Sequence, residues 1–169
     1  MDNGNDIQPG YSREDWENHY ETNDLGWDLG EVAPPFVRLW EERKLSPCKV
    51  IIPGCGRGHE AIFLAEHGFQ ITAVDYTCGA VRLLDDALKT KHLSGKVLRH
   101  DFFELDSSYN NSFDLMLENT FFCAINPSMR QKYVVTAGRI LKSGALLVGL
   151  FYETGKEGGP PFNTRKRDV

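Results

Sequence analysis

A chain of 169 residues with a formal net charge of −5 and 41% hydrophobic residues has the length of one domain, able to bury roughly 70% of its unfolded surface without disulfide or metal staples. Its acid excess argues against a nucleic-acid surface, the one basic run being Arg165, Lys166 and Arg167, read as solvated charges. No apolar run is long enough to cross a bilayer, and MDNGNDIQPG has no basic-then-apolar leader, so the expectation is a cytoplasmic monomer with neither membrane nor nucleic-acid partner.

Taken in chain order, residues 1–11 read as a disordered tail, and 12–169 as a single domain. Ser12-Arg-Glu-Asp15 reads as a capping box that opens a helix with Trp16 and Tyr20 on one face. Asn23 to Gly26 forms a turn before Trp27, and Pro34 and Pro35 open a second helix. From Lys49 the pattern alternates: strand 49–53, helix 58–67, strand 70–75, helix 77–90, strand 96–100, strand 113–118, helix 127–142 and strand 145–151. Asn126 is expected to cap the last helix and Gly144 to follow its end. Val-, Ile- and Leu-rich strands that alternate with helices predict an α/β fold, a doubly wound, mostly parallel Rossmann-like sheet with its ligand at the carboxyl ends of the strands. The four cysteines, Cys48, Cys55, Cys78 and Cys123, show no paired spacing, so no metal site is expected.

In such a sheet the informative residues follow each strand. Here they are Gly54 to Gly58, Asp75, Asp101-Phe102, Glu118-Asn119 and Tyr152. Asp75 stands where a carboxylate accepts from both hydroxyls of an adenosine ribose, and Asp101 can accept from an adenine amino group while Phe102 packs on the ring. His59 occupies the position of the third glycine of a dinucleotide fingerprint, leaving GxGxG. With Glu60 and Glu118 assigned to the same crevice, the site suits an adenosine ligand without phosphate and with positive charge. S-adenosylmethionine meets that description, and the faces of Trp16, Tyr20 and Trp27 would attract its sulfonium by roughly 0.5–2 kcal/mol per good contact. His19 and His59 read as polar residues at the margin of the site, and Cys55 and Cys123 as packing.

The runs GWDLGEVAPP, PGCGRGHE, FFCAINPSMR and GGPPF together resemble the thiopurine and thiol methyltransferase family, class I enzymes dependent on S-adenosylmethionine, and more closely its plant-type thiol and halide branch. The resemblance covers nearly all of 14–163. It implies that Trp16, Tyr20 and Trp27 close over the cofactor, and that Gly54 and Gly56 belong to the turn beneath its methionine part. It further implies that Asp75 binds the ribose, Asp101 and Phe102 the adenine, and that Glu118 lies near the methionine amino group. Tyr152 is implied to orient the acceptor, a small thiol, sulfide, thiocyanate or halide, with thiopurines as a bulkier option. Members of that family continue beyond GGPP with further strands, so the sheet is expected to lack its C-terminal antiparallel strands. Two other readings stay open at this stage: a cofactor-binding protein without turnover, and a nicotinamide-dependent oxidoreductase, which the GxGxG spacing disfavours.

Overall fold

The computed structural model describes residues 10–169. Apart from Gly10 and Tyr11, the tail expected to be disordered lies outside the described residues.

Helix α1, Arg13–Thr22, begins at the expected capping box: Asp15 N–H donates to the Ser12 hydroxyl and Ser12 N–H to the Asp15 carboxylate. That exchange satisfies two amides at the helix start and holds the Asp15 carboxyl below the usual range. Helix α2, Pro34–Glu41, carries Pro34 and Pro35 in its first turn, where the missing N–H costs nothing. The alternating region then gives β1 Lys49–Pro53, α3 His59–Glu66, β2 Gln70–Asp75, α4 Cys78–Thr90, β3 Lys96–Arg99, β4 Phe113–Asn119, α5 Arg130–Ile140 and β5 Leu141–Leu150.

All strand pairs are parallel, and the order across the sheet is β3-β2-β1-β4-β5. The chain moves outward from β1 to β3, then returns to the other side of β1 for β4 and β5. Right-handed crossovers made in opposite directions put their helices on opposite faces. Val50 and Ile52 of β1 therefore pack with Leu64 of α3 and Leu84 of α4 on one face. Ile51 packs with Met116, Tyr133, Ala137 and Ile140 on the α5 face. Each Val, Leu, Ile or Met side chain among them, fully buried, contributes about 1.5–3 kcal/mol. The reversal after β3 creates the switch point beside β1 where open parallel sheets bind ligands.

The boundaries around α5 differ most from expectation, and β5 begins at Leu141 rather than at 145. Asn126 does cap, but it caps a short 3₁₀ turn, Pro127–Met129, that leads into α5. Gly144 is not the cap of α5, which ends at Ile140. It lies within β5 at φ +78°, where the register slips between Phe113 pairing with Leu141 and Leu115 pairing with Leu146. A left-handed glycine absorbs the extra residues of a bulge as readily as it ends a helix. Among the described residues, no helix is long and apolar enough to cross a membrane, and no group of His, Cys, Asp and Glu is arranged to hold a metal ion.

Candidate active site

A cavity of about 870 Å³ opens at the carboxyl ends of β1 to β4. Its floor is the turn after β1. Gly54 has φ +57°, and a Cβ there would stand 2.4 Å from the Phe121 ring; Gly58 has φ +79°, and a Cβ there would meet a Leu84 methyl at 2.3 Å. Only glycine serves at either position, because the Phe121 and Leu84 side chains fill the space that a Cβ would need.

Asp75 ties this turn to the end of β2. Its carboxylate accepts from Gly56 N–H at 3.2 Å, and from the N–H and hydroxyl of Thr77 at 3.0 and 2.7 Å. Burial nonetheless pushes its pKa up against those three donors. Asp101 lines the same cavity and accepts from Phe103 N–H at 2.9 Å, which caps the short turn after β3. Phe102 also reaches the cavity wall, but its ring is 2% exposed and packs 5.6 Å from the Phe121 ring.

The lid is α1 with the loop that follows it. The Glu17 carboxylate accepts from Cys78 and Gly79 N–H, both at 2.7 Å, so α1 is docked on the positive end of α4. Gly79 makes the approach possible: a Cβ there would lie 2.4 Å from Cβ of Tyr20. The rings of Trp16 and Trp27 are edge-on at 5.1 Å, with Tyr20 6.1 Å from Trp27. Asp28 latches the loop to the glycine turn, accepting from Nε2 of His59 at 2.8 Å and lying 3.4 Å from an Arg57 nitrogen. His59, read from sequence as marginal, is thus part of the lid's anchorage.

Trp16, Tyr20, Trp27, Gly54, Gly56, Asp75, Asp101, Phe102 and Tyr152 all line this one cavity; Glu118 does not. Side chains alternate along a strand. In β4 it is Asn119 that reaches the crevice, while Glu118 is fully buried on the α5 side, its Cβ accommodated by Gly149 across the sheet. The Glu118 carboxylate accepts from Phe121 and Phe122 N–H at 2.9 and 2.8 Å and from the Tyr133 hydroxyl at 3.0 Å. It pins the loop beneath the cavity. Burial outweighs these donors and pushes its pKa up to about 7.

Asn119, named among the strand-end residues, is the one to which the sequence assigned no role. Its amide nitrogen donates to Glu60 Oε1 at 2.9 Å, and the same oxygen accepts from Ala33 N–H at 3.2 Å. A carboxylate only accepts, so the orientation of the Asn119 amide is fixed. Its carbonyl oxygen is then left buried with no hydrogen-bond partner among the described residues. Such an atom costs roughly 1–3 kcal/mol unless a ligand donates to it.

A parallel sheet with a glycine turn after β1, acids after β2 and β3, and a helix-borne aromatic lid has the architecture of the Rossmann-like methyltransferases. A solved structure with this fold is the 1,6-didemethyltoxoflavin-N1-methyltransferase of Burkholderia thailandensis, described with 1,6-didemethyltoxoflavin and S-adenosylhomocysteine bound. It is 19% identical with a TM-score of 0.70, and the match covers 84% of this chain and 61% of that one.

The particular family follows from the sequence. The family model described as thiopurine S-methyltransferase matches residues 11–169, and the chain belongs to that family, whose cofactor is S-adenosylmethionine. The chain is 30% identical over 152 residues to a probable thiol methyltransferase 2 of Arabidopsis thaliana, and 31% identical over 153 residues to a thiocyanate methyltransferase 1 of Brassica oleracea. In each case 87% of this chain is covered, and it spans 66% of the relative's length. The residues present fit that cofactor: the unpartnered Asn119 carbonyl is the complement of an amine, and the left-handed glycines Gly54, Gly56 and Gly58 carry the backbone of the turn along the cavity wall.

Proposed function

We propose that this chain binds S-adenosylmethionine and methylates a small sulfur or halide nucleophile: a thiol, hydrosulfide, thiocyanate or halide, with thiopurines as the bulkier alternative. The observation that carries this reading is the buried, unpartnered carbonyl of Asn119 beside the glycine turn. An amine answers it, whereas the pyrophosphate of a dinucleotide does not.

When bound, the cofactor supplies a methyl group on a sulfonium cation. Asn119 takes the place expected of Glu118 and accepts from the amino group. Gly54 and Gly56 admit the methionine part, Asp75 accepts from the ribose hydroxyls, and Asp101 with Phe102 holds the adenine. Trp16, Tyr20 and Trp27 turn aromatic faces to the cation and exclude water. Tyr152, 40% exposed at the end of β5, orients the acceptor. Positioning of this kind supplies about 7–11 kcal/mol of a displacement barrier. We further propose that the protein works as a monomer in the cytoplasm, a placement supported by its four free cysteines.

The test is transfer of labelled methyl from S-adenosylmethionine to hydrosulfide, thiocyanate, iodide, ethanethiol and 6-mercaptopurine. Product from at least one acceptor is expected. Cofactor binding with no product from any of them would indicate a binding protein without turnover.

A further inference from the structure

His19 belongs to the lid, and its surroundings assign its proton. Nδ1 lies 2.9 Å from the backbone carbonyl of Asp24 and 3.4 Å from the Asp24 carboxylate. Both partners only accept, so Nδ1 carries the hydrogen, and the neutral ring keeps its lone pair on Nε2. The ring lines the cavity and packs 5.1 Å from Tyr11, 5.9 Å from Trp16 and 5.3 Å from Trp27. No hydrogen bond from a described residue engages Nε2.

Position distinguishes this imidazole from the others in the cavity. A Cβ built on Gly10, next to Tyr11, would meet the Phe162 ring at 3.4 Å and the backbone of Ala124 and Asn126 at 3.7 Å, which places this corner of the lid over the β4 and β5 side of the sheet. Tyr152 follows β5 on that side, whereas Asp75 and Asp101 end β2 and β3 on the other. His100 has the same Nδ1 arrangement, donating to the Asp101 carbonyl at 2.9 Å, but it is exposed and stands at the β3 side. His59 spends Nε2 on Asp28.

We propose that His19 is the general base for acceptors that arrive as neutral thiols, a role that rests on the methyltransferase reading above. The S–H bond breaks, its electron pair stays on sulfur to make the nucleophile, and the proton becomes the Nε2–H of an imidazolium that later returns it to water. Asp24 holds the ring in the required tautomer and stabilises the imidazolium, as a carboxylate behind a histidine does in other base-assisted sites. Thiocyanate and iodide carry no proton to remove, so they bypass this step.

The test has two arms. Long-range proton–nitrogen NMR of the labelled protein is expected to show His19 with Nδ1 protonated and Nε2 bare; the opposite tautomer overturns the assignment. In turnover, His19→Asn keeps a side-chain donor for the Asp24 carbonyl but has no base. The ratio of ethanethiol to thiocyanate kcat is expected to fall about a hundred-fold in His19→Asn and to stay unchanged in His100→Asn. Equal losses on both acceptors in His19→Asn would reduce His19 to a packing residue of the lid, and a changed ratio in His100→Asn would move the role to the β3 side. If the parent protein methylates none of the five acceptors named above, the underlying reading fails, and this role with it; if it methylates thiocyanate or iodide but no thiol, this role alone fails.

Discussion

Glu118 makes the stability of this protein depend on pH in a direction opposite to that of a salt-bridged carboxylate. Its pKa is pushed from an ordinary 4.5 up to about 7 by burial. Between those values the unfolded chain has released the proton and the folded chain still holds it, so the folded state binds more protons and stability falls as pH rises. The contribution is fully present below pH 4.5 and is lost by the time pH has passed about 7. At 1.36 kcal/mol per unit, most of that loss falls between about pH 5 and 8 and amounts to about 2–3 kcal/mol.

Glu118→Gln keeps the shape and an oxygen for the Phe121 and Phe122 amides but has no proton to lose. Urea denaturation of both proteins at about pH 5 and 8 isolates the effect, because Asp75, whose pKa is also raised, is common to the two. The variant is expected to lose about 2–3 kcal/mol less than the parent over that interval. Identical pH dependence in the two proteins would refute the reasoning and mean that water reaches the carboxylate.

Asp75→Ala is expected to weaken S-adenosylhomocysteine binding by about 1–3 kcal/mol in calorimetry, through unpaired ribose hydroxyls and a loosened Gly56 turn; unchanged affinity would remove Asp75 from the site. Gly79→Ala places a methyl against Cβ of Tyr20 and is expected to cost about 1–3 kcal/mol of stability and to lower cofactor affinity by lifting α1. A raised Tm with unchanged affinity would show that helix propensity outweighs the clash. Tyr152→Phe is expected to lower kcat in the methyl-transfer assay with cofactor affinity unchanged, and unaltered kcat would make Tyr152 a packing residue.

The sheet was legible because its central strands β1, β2 and β4 are buried on both faces and so read as short apolar runs between glycine and acid punctuation. The end of α5 was not, since Gly144 has the left-handed backbone of a helix cap but uses it inside β5. At the site, the residues after β1, β2 and β3 followed from the rule that loops at the strand ends line the crevice. Glu118 and Asn119 were one step harder. Which of two adjacent side chains faces the cavity depends on the register of β4, and the apolar residues before them run on both faces. The bonds that assemble the lid were illegible for a different reason: Asn119 meets Glu60 across 59 positions, Asp28 meets His59 across 31, and Glu17 meets Gly79 across 62. No local pattern announces such partners, and only the folded crossover brings them together.

Calorimetric titration of the 169-residue chain with S-adenosylhomocysteine and, separately, with NAD tests the central claim most directly. Micromolar binding of the first and none of the second is the predicted result. Binding of NAD, or of neither ligand, would contradict the assignment of the Asn119 carbonyl and the glycine turn to a sulfonium nucleoside.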